Sequence, residues 1–282
     1  MNRAEIANAR ARLPGAFRTS TRRLVQLWGG LALVVGVSAF AVWYLELTFT
    51  QLWSGLDRLG FLLSFMLPPT HGGYPGEVLY AMLETVAMAL FATLLSGLIS
   101  LPLGFMGARN VVSNVLLHFS LRRIFDAGRA VDSLIWALFF ISVVGLGPFA
   151  GMLALAAADI GSLSKLYAEA IENAEREQVD GVRATGAGRV QTAWLGYFPQ
   201  VAPVMLAHAL YYFESNVRGA SILGIVGAGG IGMLLSDRIR VNNWDEAAFV
   251  MLVILVTVAV LDTLSKTIRL RIINDPAVRQ TP

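Results

Sequence analysis

Residues Gly227-Ala228-Gly229-Gly230-Ile231-Gly232 read G-x-G-x-x-G. That spacing can wrap a dinucleotide's pyrophosphate when it lies between a strand and a helix, with an acidic residue about 20 residues further on. Here it follows "GASILGIV", the end of a long apolar run, and precedes "MLLSDRIRVNNWDEAA" and then another apolar run. No second strand ends in an acid. The glycines therefore read as backbone that ends a helix and permits close approach at the outer mouth of a helix bundle. A second chemically capable set is Glu214 and Arg218 in "HALYYFESNVRGAS". Four residues apart on a helix, they share a face and can pair. Either charge alone at mid-bilayer costs about 2.5 kcal/mol or more, so that face must turn to the bundle interior or to water. Two readings stand: a pair clamping helices together, or a pore or gate lined by Glu214, Ser215, Asn216 and Arg218, whose arginine suits an anion. Asp159, Glu84 and Asp262 are weaker candidates of the same kind, and His208 reads as an interior histidine. There is no metal-ligand cluster, no nucleophile–base constellation, no G-x-x-x-x-G-K-[ST] loop and no cysteine.

The elements that carry these residues are dictated by composition. Of 282 residues, 56% are hydrophobic and only 15% charged, against roughly 25% charged in soluble domains. That surface is too poor in charge for a water-soluble fold of this size, and an all-α, polytopic membrane bundle is expected. Apolar runs cover residues 24–45, 78–103, 134–158, 201–226 and 247–264. The first is long enough to span about 30 Å of hydrocarbon and follows a basic segment too long for a signal peptide, so it reads as a retained anchor. The run over 134–158 contains "VVGLGPFAG", where Gly145, Gly147 and Pro148 favour a break, and a hairpin of two spans reaching towards Lys165.

Charge decides between five spans and six. With six spans and the N-terminus inside, 18 of the 22 Lys and Arg fall on the inner side and only Arg58, Arg238 and Arg240 outside, Arg218 being within a span. Five spans would leave 12 inside and nine outside. The positive-inside rule selects six helices with both termini cytoplasmic. The expected divisions are a basic segment 1–23, a first span 24–45, an extracytoplasmic segment 46–77, a core 78–265 and a tail 266–282. Within 46–77, apolar Leu52, Trp53, Leu56, Leu59, Leu63 and Met66 recur at helical spacing opposite Ser54, Asp57 and Arg58. An interfacial helix and a buried external loop are both open.

The inner stretch from about 165 to 200 holds "DGVRATGAGRVQ", with Pro199 thirteen residues after Gly186. A short helix from about Asp180, a tight turn at Gly186-Ala187-Gly188 and a second helix near Arg189 would make an elbow able to seat on another protein. The stretch resembles the cytoplasmic signature of ABC importer permeases. Asp180-Gly181-Val182 stands where that signature has E-A-A, Gly186 takes its glycine place, and Phe198-Pro199 its final pair; Gly196 stands where an isoleucine is usual. More widely, "GLGPFAGMLAL", "LSKLYAEAIE", "GVRATGA", "FPQVAP", "FESNVRGASILGIVGAGGIG" and "VTVAVLDTLS" resemble the phosphonate-type (PhnE-like) permeases, from about Leu79 to Arg271.

That resemblance implies the membrane subunit of a type I ABC importer in the bacterial inner membrane, carrying phosphonate or a related oxyanion such as phosphite or hypophosphite. It implies a second permease subunit, identical or paralogous, two ATPases holding ATP and Mg, an extracytoplasmic binding protein, and no cofactor in this chain. Asp180, Gly181, Val182, Arg183, Gly186, Ala187, Gly188 and Arg189 would contact the ATPase. A lipid bilayer, and no nucleic acid, completes the expected surroundings. A permease for another small substrate is the runner-up; a redox protein would need a cofactor on the glycine run, and a scaffold leaves Glu214–Arg218 unexplained.

Overall fold

The computed structural model describes residues 21–46, 48–112 and 114–273. Most of the basic leading segment and the end of the tail lie outside the described residues. The chain divides into two units, 1–64 and 65–282. In the first, α1 (Thr21–Tyr44) is long and apolar enough to cross a membrane, and none of its span is buried by protein. Phe40 stacks on Tyr44 beside Trp43 at its end. After a turn at Glu46, α2 (Phe49–Phe65) is a continuous helix, with Trp53, Leu56, Leu59 and Leu63 exposed along one side. The segment is thus helical rather than an irregular loop.

The second unit is built on α3 (Pro75–Gly107) and α6 (Pro148–Glu172), which run in the same direction. Small residues let them approach: a Cβ on Gly104 would stand 2.7 Å from Tyr167 Cβ, and Ser100 donates to the carbonyl of Ile160 at 3.1 Å. With no hydrophobic force between helices in lipid, such close backbone packing is what holds a bundle together. Between them come α4 (Val115–Gly128) and α5 (Ser133–Val144), bent by 83° to one another. Asn114 caps α4, accepting from the amides of Leu116 and Leu117. Its inner side is fixed to α6 by Arg122 with Glu172 (2.8 Å) and Glu169 (3.4 Å), and by Lys165 with Asp126 (2.8 Å).

Gly145 (φ 90°) and Gly147 (φ 136°) break the apolar run, and Pro148 opens α6, so α5 and α6 form a hairpin. Positive φ is what glycine supplies at such a turn. Two differences from expectation follow. Helix α6 continues past Lys165 to Glu172, so the elbow is confined to 173–197, and α5 is only 12 residues, about 18 Å long. Beyond the elbow, which contains α7 (Arg176–Ala184), α8 (Phe198–Leu223) returns through the bundle, α9 (Gly230–Arg240) continues it after a 43° bend, and α10 (Trp244–Ile273) closes the unit. Among the described residues four single helices qualify as spans, or six when each bent pair counts as one.

Candidate functional site

The glycine run is where the break between α8 and α9 meets the α5–α6 hairpin. The Gly147 amide donates to Gly227 O at 3.0 Å. A Cβ on Gly229 would come within 2.9 Å of Pro148 N, and one on Gly151 within 2.9 Å of Ala228 O. The first amides of α9 turn onto α3: Gly230 N–H reaches Glu84 Oε1 (3.3 Å) and Ile231 N–H reaches Thr85 Oγ1 (2.8 Å). The run is thus a protein–protein latch of three chain segments. Its place corrects the sequence reading of an outer mouth. Glu84 follows Pro75, the start of α3, by nine residues, about 13 Å of helix. Helices α5, α6 and α8 therefore end well below the level at which α3 and α10 begin, and α9 climbs the difference. At that upper rim Arg238 binds Glu77 (2.9 Å) and Glu246 (3.0 Å), and Thr70 donates to Asp245.

At the opposite end stands the elbow. Helix α7 begins at Arg176, earlier than the sequence suggested, and buries Val179. Gly196 lies beneath it, where a Cβ would be 3.4 Å from Val179 Cα. A Cβ there would make ordinary contact with α7, and glycine leaves that contact to the backbone itself. Ile171, Val179, Tyr197, Val201 and Met205 pack into one apolar root. Hydrogen bonds pin the same root: Asn110 Nδ2 to Ile171 O (2.6 Å), and Glu175 N–H to Gln200 Oε1 (2.9 Å). Gly186 has φ 82° and open space around its missing Cβ, so conformation rather than clearance demands glycine. Gln191 accepts from the Gly188 amide at 2.9 Å. Asp180, Gly181, Arg183, Gly186, Gly188 and Arg189 are exposed, while Val182 and Ala187 are half-buried. Asp180 and Arg183 pair at 3.2 Å, a surface contact of little energetic weight. Arg183, Ala187 and Arg189 also border a cleft of about 240 Å³ with Val111, Thr192 and Tyr197. A rigid root under an exposed, charged, glycine-turned tip is suited to receiving a push.

The four α8 candidates separate into two groups. Glu214 Oε1 meets Arg218 at 3.5 Å, but Glu214 Oε2 also meets Arg269 of α10 at 3.7 Å. The Glu214 side chain is 12% exposed and that of Arg218 60%, so the pair stands at the subunit's surface rather than in its core. Ser215 is exposed beside it. Asn216 turns the other way, donating to Asp159 Oδ2 (2.5 Å) and Thr93 Oγ1 (3.0 Å) in the interior. Sequence reasoning assigned Arg269 only to the inner charge count; one helical turn from Ser265 and two from Asp262, it faces α8, where Ser265 donates to Leu210 O. His208 is half-buried.

A bundle of apolar helices with charges set in from its ends, joined to an exposed helical elbow, defines the membrane-embedded subunit of a transporter. Residues 100–275 match the family described as binding-protein-dependent transport system inner membrane component, and the chain belongs to that family. It is a multi-pass inner-membrane permease of an ABC importer, and the elbow, the clustered charges and the two glycine segments of the latch lie within the matched residues. The chain is 36% identical over 243 residues to a putative phosphite transport system permease protein, HtxC, of Stutzerimonas stutzeri, covering 86% of each chain. It is 39% identical over 208 residues to the phosphate-import permease protein PhnE of Mycolicibacterium smegmatis, covering 74% of this chain and 39% of that one. The fold is similar to a solved inward-facing MetNI methionine ABC transporter chain, with TM-score 0.62 and 20% identity over 72% of this chain and 99% of that one.

Proposed function

We propose that this permease carries a phosphorus oxyanion, a phosphonate or a smaller relative such as phosphite or hypophosphite, into the cell. The observation that carries the reading is the near full-length similarity to phosphite permeases, 36% and 35% identical over 86% of this chain. Two such subunits, identical or paralogous, enclose the path; two separate ATPase subunits supply the energy and a binding protein delivers the anion. The elbow, with Asp180 to Arg189 at its tip, faces the cytoplasm and seats the ATPase. The excess of Lys and Arg on that side supports the orientation. On α8, Arg218 offers an exposed cation beside Ser215, suited to an oxyanion passing the subunit surface.

The test is ATP hydrolysis by the complete complex in proteoliposomes, with its binding protein, against methylphosphonate, phosphite, hypophosphite, phosphate, sulfate and methionine. Stimulation by one or more of the first three is expected. Stimulation by sulfate or methionine alone would transfer the assignment to another small solute.

A further inference from the structure

We infer that Asp159 and Asn216 are positioning residues that make α3, α6 and α8 move as one body when the elbow is displaced. The inference rests on the elbow being the ATPase seat. Asn216 sits on α8 with 4% exposure, Asp159 on α6 with 7% and Thr93 on α3 with 5%. One amide group ties all three helices: its two hydrogens reach Asp159 Oδ2 and Thr93 Oγ1, while the Thr93 hydroxyl donates to Ala89 O at 2.8 Å. One turn nearer the elbow, the Tyr212 hydroxyl meets Ser162, again joining α8 to α6.

The location gives the clasp its role. Helices α6 and α8 are the two arms that leave the elbow, α6 ending at Glu172 and α8 beginning at Phe198. Both end, at their far side, in the glycine latch. Between clasp and latch the contacts are made by small or flexible side chains, Met88, Ala92, Ala154, Leu155 and Ala220. Such surfaces are apolar and non-directional, and they fix register and rotation less sharply than a hydrogen bond does. In a dry interior a fully partnered amide fixes both, because sliding by one residue leaves its polar atoms unsatisfied. A push on the elbow thus reaches the latch as movement of a rigid wedge instead of dissipating as slip between α6 and α8.

The experiment uses the complete complex in proteoliposomes, reading substrate imported per ATP hydrolysed, and a spin-label distance between mid-span positions of α6 and α8, at the level of the clasp, with and without ATP. Asp159→Asn keeps an acceptor for the Asn216 amide and should retain the import-to-hydrolysis ratio. Asn216→Leu and Asp159→Leu should lower that ratio about tenfold while hydrolysis continues. The α6–α8 distance should be unchanged by ATP in the unaltered protein and should change in Asn216→Leu. A normal ratio and a fixed distance in Asn216→Leu overturn the inference, as does an Asp159→Asn variant that behaves like Asp159→Leu. Where the leucine variants do not assemble, Thr93→Val decides: it preserves shape and removes one acceptor, and a ratio equal to that of the unaltered protein refutes the clasp. Failure of the elbow reading shows separately, in the unaltered complex, as elbow labels that do not shift on ATP binding.

Discussion

Gly147 and Gly227, 80 residues apart in the chain, are joined by an amide-to-carbonyl hydrogen bond of 3.0 Å. The bond locks the turn of one hairpin onto the break in a second membrane segment. Non-helical backbone at such depth is tolerated only where protein satisfies its polar groups, and here each irregular segment serves the other. The latch also fixes how glycine substitutions should rank. A Cβ on Gly232 would overlap the carbonyl oxygen of Ser221, and one on Gly224 would stand 2.5 Å from Met233 N, whereas Gly181 is helical with open space around it. Gly232→Ala and Gly224→Ala should each destabilise by about 1–3 kcal/mol or more, read as thermal unfolding in detergent. Gly181→Ala should be neutral or stabilise by about 0.5–1 kcal/mol. The reverse order would refute the latch geometry.

Gly186 makes a different demand. Its φ of 82° is unfavourable for other residues, yet nothing lies within 4 Å of its missing Cβ. Gly186→Ala should cost only about 1–2 kcal/mol of local strain. Gly186→Asp adds a charge at the exposed tip and should leave the permease in the membrane while import stops. Normal uptake by Gly186→Asp would remove the elbow from the coupling path.

The proposed topology is best tested away from the hairpin, because Gly151 packs against Ala228 inside the latch. Fusions at Asn242, in the turn between α9 and α10, and at Glu177, in α7, fall at exposed positions at opposite ends of the bundle. Asn242 should report from outside and Glu177 from inside. Glu177 reporting from outside and Asn242 from inside would restore the five-span arrangement.

Glu214 is held by two cations, and the consequences of losing each partner differ. Arg218 is 60% exposed at the subunit surface, so Arg218→Met should change stability by about 0–1 kcal/mol. Glu214→Gln takes one carboxylate from Arg269, whose side chain is 28% exposed, but leaves Asp262, which also neighbours Glu214, so it should cost only slightly more, about 1 kcal/mol. Uptake then separates two roles for Arg218. If it lends its charge to the passing anion, Arg218→Met is expressed normally and imports poorly. If it is only a clamp, import remains near normal.

The helical class and the hairpin break were legible because they are local: apolar runs set span lengths, and Gly145, Gly147 and Pro148 punctuate one of them. The elbow's glycine turn was legible for the same reason. The depth of the glycine run was not, since it depends on α3 rising nine residues beyond the contact at Glu84, a register that no local pattern encodes. Nor was the separation of Asn216 from Arg218. Spacing shows which residues of α8 share a face, but only the packed neighbours α3, α6 and α10 show which face is inside. Arg269 was counted as a surface charge because nothing in its own segment points to Glu214, 55 residues earlier.

The Gly147–Gly227 bond has a consequence for how the protein is made. Synthesis delivers the hairpin tip 80 residues before the carbonyl that satisfies it, and the helix breaks on both sides of the bond are meaningless to the chain until both are present. During that interval the Gly147 amide lacks its native acceptor, and any part of the turn that reaches hydrocarbon must find another partner. A chain ending before Gly227 therefore carries an unlatched hairpin turn. Arrival of the glycine run ends that state, so the latch marks the moment at which the subunit becomes mature.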